Sequence, residues 1–165
     1  MTNLKPILNV TNVTLQEQRH GERFVVKKGR MAPAIGLTKL GCTLHIVPAG
    51  KRAFPFHAHH VIEELFIILS GAGEYRFGDE TFPVRAGDVL GAPAGKTPHQ
   101  IVNTGTEEMR YLGISTIGSV DVVEYPDSKK VAVAAGIRNA DFTTASFVQI
   151  ARMAESIDYW DGEAS

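Results

Sequence analysis

The chain has 165 residues, with 17 Lys plus Arg against 18 Asp plus Glu, a net charge of −1, 44% apolar residues and one cysteine, Cys42. That balance argues against a nucleic-acid-binding face, which needs clustered positive charge, and a lone cysteine excludes an intrachain disulfide framework. No apolar run approaches the length of a membrane-spanning helix, and 16 Gly with 8 Pro point to a single domain of many short elements, an all-β design.

Residues 1–21 are mixed and polar and read as an N-terminal arm with a short strand or turn. They lack a basic stretch followed by an apolar one, so a cytoplasmic protein is expected. From Glu22, ERFVVKK is a short β-favouring run closed by Gly29, and Arg30 to Ile35 reads as a loop. In LTKLGCTLHIV, Leu40, Cys42, Leu44 and Ile46 fall on one face, and Pro48-Ala49-Gly50 ends the strand. HAHHVIEELFIIL runs to Ser70-Gly71, and GEYRF meets ETFPV across Gly78-Asp79 as a hairpin. VLGAP follows the turn Ala86-Gly87-Asp88, and Ala94-Gly95 turns again. HQIVN and EEMRYLGIST join at Asn103-Thr104-Gly105, and VDVVEYP is the last clear strand. Turn signals about every eight to twelve residues predict a sandwich or small barrel over residues 22–126. The segment 127–165 is expected to pack on that barrel. Within it, FTTASFVQIARMAESI predicts a short helix, with Phe147, Ile150, Ala151 and Ala154 at helical spacing and Thr143 or Thr144 as N-cap.

Three of the six histidines lie within four residues: His57, His59 and His60. On a strand, His57 and His59 share one face and His60 points to the other. Glu64 can join the first two if the chain turns in between, and His99 can bring a third imidazole. Three neutral imidazoles and one carboxylate suit a divalent first-row transition metal (Fe, Mn, Ni, Zn or Cu) better than Ca or Mg, which want oxygen ligands. Positions left open on such an ion separate a reactive centre from a structural one.

Two segments carry a family resemblance. Gly50-KRAFPF-His57-Ala58-His59-HVIE-Glu64-LFIILS-Gly71 resembles the first cupin motif, and Gly87-DVLGA-Pro93-Ala94-Gly95-KTP-His99-QIV-Asn103 resembles the second. The gap from Gly50 to His57 is one residue longer than the common pattern, as is that from Gly95 to His99. The resemblance implies a double-stranded β-helix, or jelly-roll barrel, with one metal held by His57, His59, Glu64 and His99. It also implies a small polar or anionic metabolite as ligand. The implied chemistry is that of an oxygenase or a sugar or sugar-phosphate isomerase, or, in a second reading, non-catalytic binding or sensing.

The other candidates have plainer readings. Phe66 and Ile68 share the face of Glu64, and Tyr75 and Phe77 follow on the next strand, so all four are expected in the core and the pocket wall. His20 and His45 read as ordinary solvated or hydrogen-bonded histidines, and Glu63 as outward-facing. Lys51, Arg52, Arg76 and Lys96 read as solvated surface before anion contacts, and Cys42 as an inert thiol. Tyr75 and Tyr111 are the remaining acid–base candidates. Leu65, Ile67 and Leu69 make LFIIL apolar on its second face too, so a homodimer is expected to cover it. The alternative cover is a terminal segment bearing Phe147, Tyr159 and Trp160.

Overall fold

Runs rich in β-branched and aromatic residues, punctuated by glycine turns, pair into sheets because each buries an apolar face while the ladder satisfies its backbone. The computed structural model of the chain describes residues 5–95, 97–139 and 141–163. In chain order the strands are β1 (Gln16–His20), β2 (Phe24–Arg30), β3 (Leu40–Val47), β4 (Ala58–His59), β5 (Glu64–Ser70), β6 (Ala72–Phe77), β7 (Glu80–Arg85), β8 (Val89–Ala92), β9 (His99–Val102), β10 (Met109–Thr116), β11 (Val120–Tyr125), β12 (Lys130–Ala135) and β13 (Phe147–Arg152). They form an antiparallel jelly roll from sheets ordered β1-β2-β3-β10-β5-β8, β13-β12-β11-β4 and β7-β6-β9. The expected hairpin forms between β6 and β7, where Phe77 faces Glu80 and Gly78 takes a positive φ of 60°.

The main core fills the barrel with Val26, Val47, Ile68, Tyr75, Met109 and Tyr111 among others. A second cluster lies on the outer face of β3, where Met31, Leu44 and Ile46 pack with Leu8, Val10 and Val13 of the arm. β3 is therefore buried on both faces. The alternation finds its two faces but not which one looks into the barrel, and it is the His45 and Val47 face that does.

Two expectations change. β2 does not stop at Gly29 but continues through Arg30. A Cβ at Gly29 would lie 2.2 Å from Val13 Cγ1 and 2.8 Å from the Thr14 carbonyl, so this glycine admits the arm against the strand and ends nothing. The short C-terminal helix is absent: Phe147–Arg152 is β13, paired along its whole length with β12. A helix there would need a buried face, and every residue of β13 is exposed. Cross-strand pairing supplies the backbone partners instead, and Phe147, Val148 and Ile150 favour it. The N-cap in this region is Asp141, whose carboxylate accepts from Thr143 N at 3.0 Å and opens a 3₁₀ turn over Phe142–Thr144. Phe147, Tyr159 and Trp160 are exposed, and Leu65 and Leu69 keep 38% and 39% of their surface open.

Candidate metal centre

Backbone pairing brings the histidines together before any side chain is considered. His57 and His99 form an isolated antiparallel bridge and exchange both hydrogen bonds, His99 N to His57 O at 2.7 Å and His57 N to His99 O at 3.1 Å. That bridge fixes His99 beside His57 with ring centroids 4.6 Å apart, despite the longer gap after Gly95. His59 is held by β4, whose two residues pair with Val123 and Glu124 of β11. Glu64 opens β5 opposite Ala92 and Ser115.

The four side chains converge on one carboxylate oxygen. Glu64 Oε2 lies 3.0 Å from His99 Nε2, 3.5 Å from His59 Nε2 and 3.9 Å from His57 Nε2. Donor atoms of His57, Glu64 and His99 lie within 4.8 Å of one another, and His59 joins them through Glu64. The other ring nitrogens point away. His57 Nδ1–H donates to the Pro55 carbonyl at 2.8 Å, and His59 Nδ1–H donates to Asp121 Oδ2 at 2.5 Å. Both bonds fix the tautomer that leaves Nε2 free as a ligand.

Asp121 is a residue the sequence reading passed over. Its exposure is 0%. Its carboxylate accepts from His59 and also from Val61 N at 3.2 Å and Val122 N at 3.0 Å, which makes the buried charge tolerable. The available signal was an acid at an inward position of VDVVEYP, on the face it shares with Val123 and Tyr125. His60 turns the other way and bonds Glu124 Oε1 at 2.8 Å, as alternation requires. Glu63 is exposed.

The electrostatics follow from burial and proximity. Burial pushes the His57 pKa down to about 4, and its neighbours His99 and His59 push the same way. For Glu64, burial acts upward, but the His99 hydrogen bond and the three imidazoles outweigh it and hold the carboxyl at about 2. For His59, burial acts downward, and the Asp121 bond with the Glu64 and Asp121 charges reverses it to a net rise. The metal-free centre is thus an ionised carboxylate ringed by imidazoles.

A cavity of about 370 Å³ opens over this centre. Phe66 lines it, whereas Ile68 and Tyr75 lie in the barrel core below and Phe77 packs against that core. Tyr75 is drawn down there by its hydroxyl, which donates to the Gly91 carbonyl at 2.8 Å. Tyr111 does line the cavity, and burial followed by the Glu64 charge raises the pKa of both tyrosines and keeps them protonated. Lys51, Arg52 and Arg76 stay off the lining, and Arg76 pairs with Asp127 at 3.0 Å. Lys96 lies outside the described residues, as do residues 1–4 of the arm. Cys42 reaches the wall with a thiol pKa raised by burial, in keeping with an inert thiol.

The wall includes groups the sequence reading placed elsewhere. His45 is 6% exposed, stacks on Tyr111 at 4.8 Å between centroids and faces the cavity. Gly113 makes room for it, since a Cβ there would lie 2.9 Å from His45 Cε1. Lys28 and Arg30 project from β2 at i and i+2. Arg30 ties across the mouth to the Asp141 carboxylate and the Asn139 carbonyl, which fastens the β12–β13 connection over the opening.

A family model described as a cupin domain matches residues 43–115. An uncharacterised protein of Methanocaldococcus jannaschii is 30% identical over 109 residues, 66% of this chain and 77% of that protein. The structure of a candidate sugar phosphate isomerase from Acidithiobacillus ferrooxidans superposes with a TM-score of 0.81 at 26% identity, covering 93% of this chain and 96% of that one. A sugar phosphate isomerase of a cupin superfamily from Silicibacter pomeroyi gives 0.75 at 20% identity over 89% and 92%, a likeness of fold.

Proposed function

The chain belongs to the cupin superfamily, and from that premise we propose that it is a metal-dependent enzyme acting on a small polar or anionic metabolite, of sugar or sugar-phosphate isomerase type. His57, His59, Glu64 and His99 hold one divalent first-row metal. The observation that carries this reading is the convergence of three imidazole Nε2 atoms on a single Glu64 oxygen at 3.0–3.9 Å. The donor set fits such an ion, with nitrogen and carboxylate ligands in numbers that leave positions open. When bound, the metal supplies Lewis-acid polarisation of a chelating substrate oxygen. The isomerase assignment draws on the name of the Acidithiobacillus ferrooxidans protein, which matches over nearly the whole chain.

The residues' own tasks are separable. Pro55 and Asp121 hold His57 and His59 in the tautomer that presents Nε2. Glu64 contributes a fixed negative charge, and His99 shares its Nε2 proton with it; to serve as a ligand, that nitrogen would have to give up the proton. Phe66, Tyr111 and Phe142 give the cavity apolar walls that exclude water around a bound ligand. A second copy of the chain is the cover we assign to the outer face of β5.

Metal analysis of protein purified without chelators, followed by isomerisation and oxygen-uptake screens on the loaded protein, tests the proposal. About one metal per chain, lost in His57→Ala and His99→Ala, with sugar-phosphate turnover is the expected result. Absence of metal would overturn the centre. Oxygen uptake would replace the isomerase by an oxygenase, and metal without turnover would leave a binding or sensing module.

A further inference from the structure

We propose that the cavity has an anion-accepting subsite, formed by Lys28 and His45, that binds an oxyanion group of the ligand (a phosphate or a carboxylate) through residues other than the proposed metal ligands. This deepens the reading of the cavity as a ligand site and rests on it.

Two polar groups of the wall are left without protein partners. The Lys28 side chain makes no hydrogen bond or ion pair among the described residues, although half-buried on the lining. The other cation there, Arg30, is already matched by Asp141. His45 is 94% removed from solvent by its 6% exposure, and its Nδ1 has no hydrogen-bond partner. The Thr43 carbonyl weakly raises its pKa but stands outside bonding geometry. A buried unpartnered nitrogen costs about 1–3 kcal/mol; of the two such atoms among the described residues, His45 Nδ1 and Arg52 Nε, His45 is the one whose residue lines the cavity.

Register joins the two. Lys28 sits opposite His45 in the β2–β3 ladder, and His45 sits opposite Tyr111 in the β3–β10 ladder. Lysine and imidazole thus stand side by side on the barrel's inner face. Burial lowers the His45 pKa to about 4; the Glu64 charge opposes it and the smaller Lys28 charge adds to it, so the free protein holds this imidazole neutral. A neutral imidazole can donate one N–H, and the lysine brings three donors and the charge. Together they offer an oxyanion what it needs, charge plus directed N–H donors. The same cavity therefore holds both the His57, His59, Glu64 and His99 set and a cation, Lys28, that is not one of them.

The test uses inorganic phosphate and chelator-treated protein, so the metal plays no part in the readout. Phosphate is titrated at neutral pH and constant ionic strength while the ¹⁵N-imidazole resonances of His45 are followed by NMR. The expected result is a saturable shift of the His45 signals with a rise in its pKa. Binding should weaken about tenfold or more in Lys28→Gln, the loss of one charged contact. Lys27→Gln, on the exposed face of the same strand, should leave it unchanged. Silent His45 signals, or equal titrations in wild type and Lys28→Gln, would overturn the proposal. Metal content is measured separately on the same proteins. Loss of metal in wild type would end the metal reading without touching the phosphate result, whereas a metal-loaded protein blind to phosphate would end only this one.

Discussion

Replacing Asp121 by Asn isolates what a buried carboxylate does for a ligand it touches but does not replace. The change keeps the shape and an acceptor oxygen for the Val61 and Val122 amides. It puts an NH₂ group, or a weaker neutral acceptor, opposite the Nδ1–H of His59, now 2.5 Å from Asp121 Oδ2. If the NH₂ faces the ring, two donors collide, and His59 relieves the clash by moving its proton to Nε2, where a metal would bind. If the oxygen faces the ring instead, the two amides lose their acceptor. Loss of such an outer carboxylate typically costs 10- to 100-fold in metal affinity, or about 1.4–2.7 kcal/mol. Competition between the protein and a chelating dye for Zn²⁺ or Mn²⁺ measures this directly, with thermal melts of metal-free protein as the check on folding. The expected outcome is a weaker metal constant with a modest change in melting. Wild-type affinity in Asp121→Asn would refute the claim that Asp121 sets the tautomer of His59.

Three further outcomes follow from the same geometry. His59→Ala removes a proposed ligand and strands a carboxylate of 0% exposure, at about 3–5 kcal/mol; adding Asp121→Asn should recover part of the lost melting temperature but none of the metal binding. In chelator-treated protein, His45 and His57 sit at about 4 against an ordinary 6.5. The unfolded chain therefore binds more protons between those values, and stability falls as pH drops from 6.5 towards 4, by on the order of 3 kcal/mol for each group at the limit. Glu64, at about 2, extends the loss below its ordinary 4.5, while His59, raised, opposes it by stabilising the fold at low pH and losing that contribution as pH rises through its folded value. Melting temperature against pH checks the net slope, and a flat or inverted profile would contradict it. Sedimentation at micromolar concentration should give a dimer that Leu65→Glu with Leu69→Glu converts to monomer; a wild-type monomer would leave the β5 outer face uncovered.

The histidine pair, Glu64, His99 and the jelly roll were legible because motif spacing and strand alternation are local signals. What escaped is non-local. Asp121 meets His59 across 62 residues of sequence, and although alternation in VDVVEYP puts its acid on the face of Val123 and Tyr125, nothing local names a histidine as its partner. His45 was assigned to the less interesting face because both faces of β3 are buried, which alternation cannot rank. Lys28 and Arg30 were hidden by a glycine that reads as punctuation and is in fact a close approach by the arm. The C-terminal helix failed because four residues at helical spacing say nothing about whether a surface is available to bury them.

The tie between Arg30 and Asp141 fastens a loop whose two ends run into β12 and β13, and β13 is the free edge of its sheet with every residue exposed. Such a ribbon opens in small, local excursions that leave the barrel intact. The cavity roof therefore answers to a different free energy from the rest of the protein. An exposed ion pair holds it with about 0–1 kcal/mol. Salt, or an anion competing for Arg30, would speed the exchange of amide hydrogens along β13 long before it touched the global melting temperature.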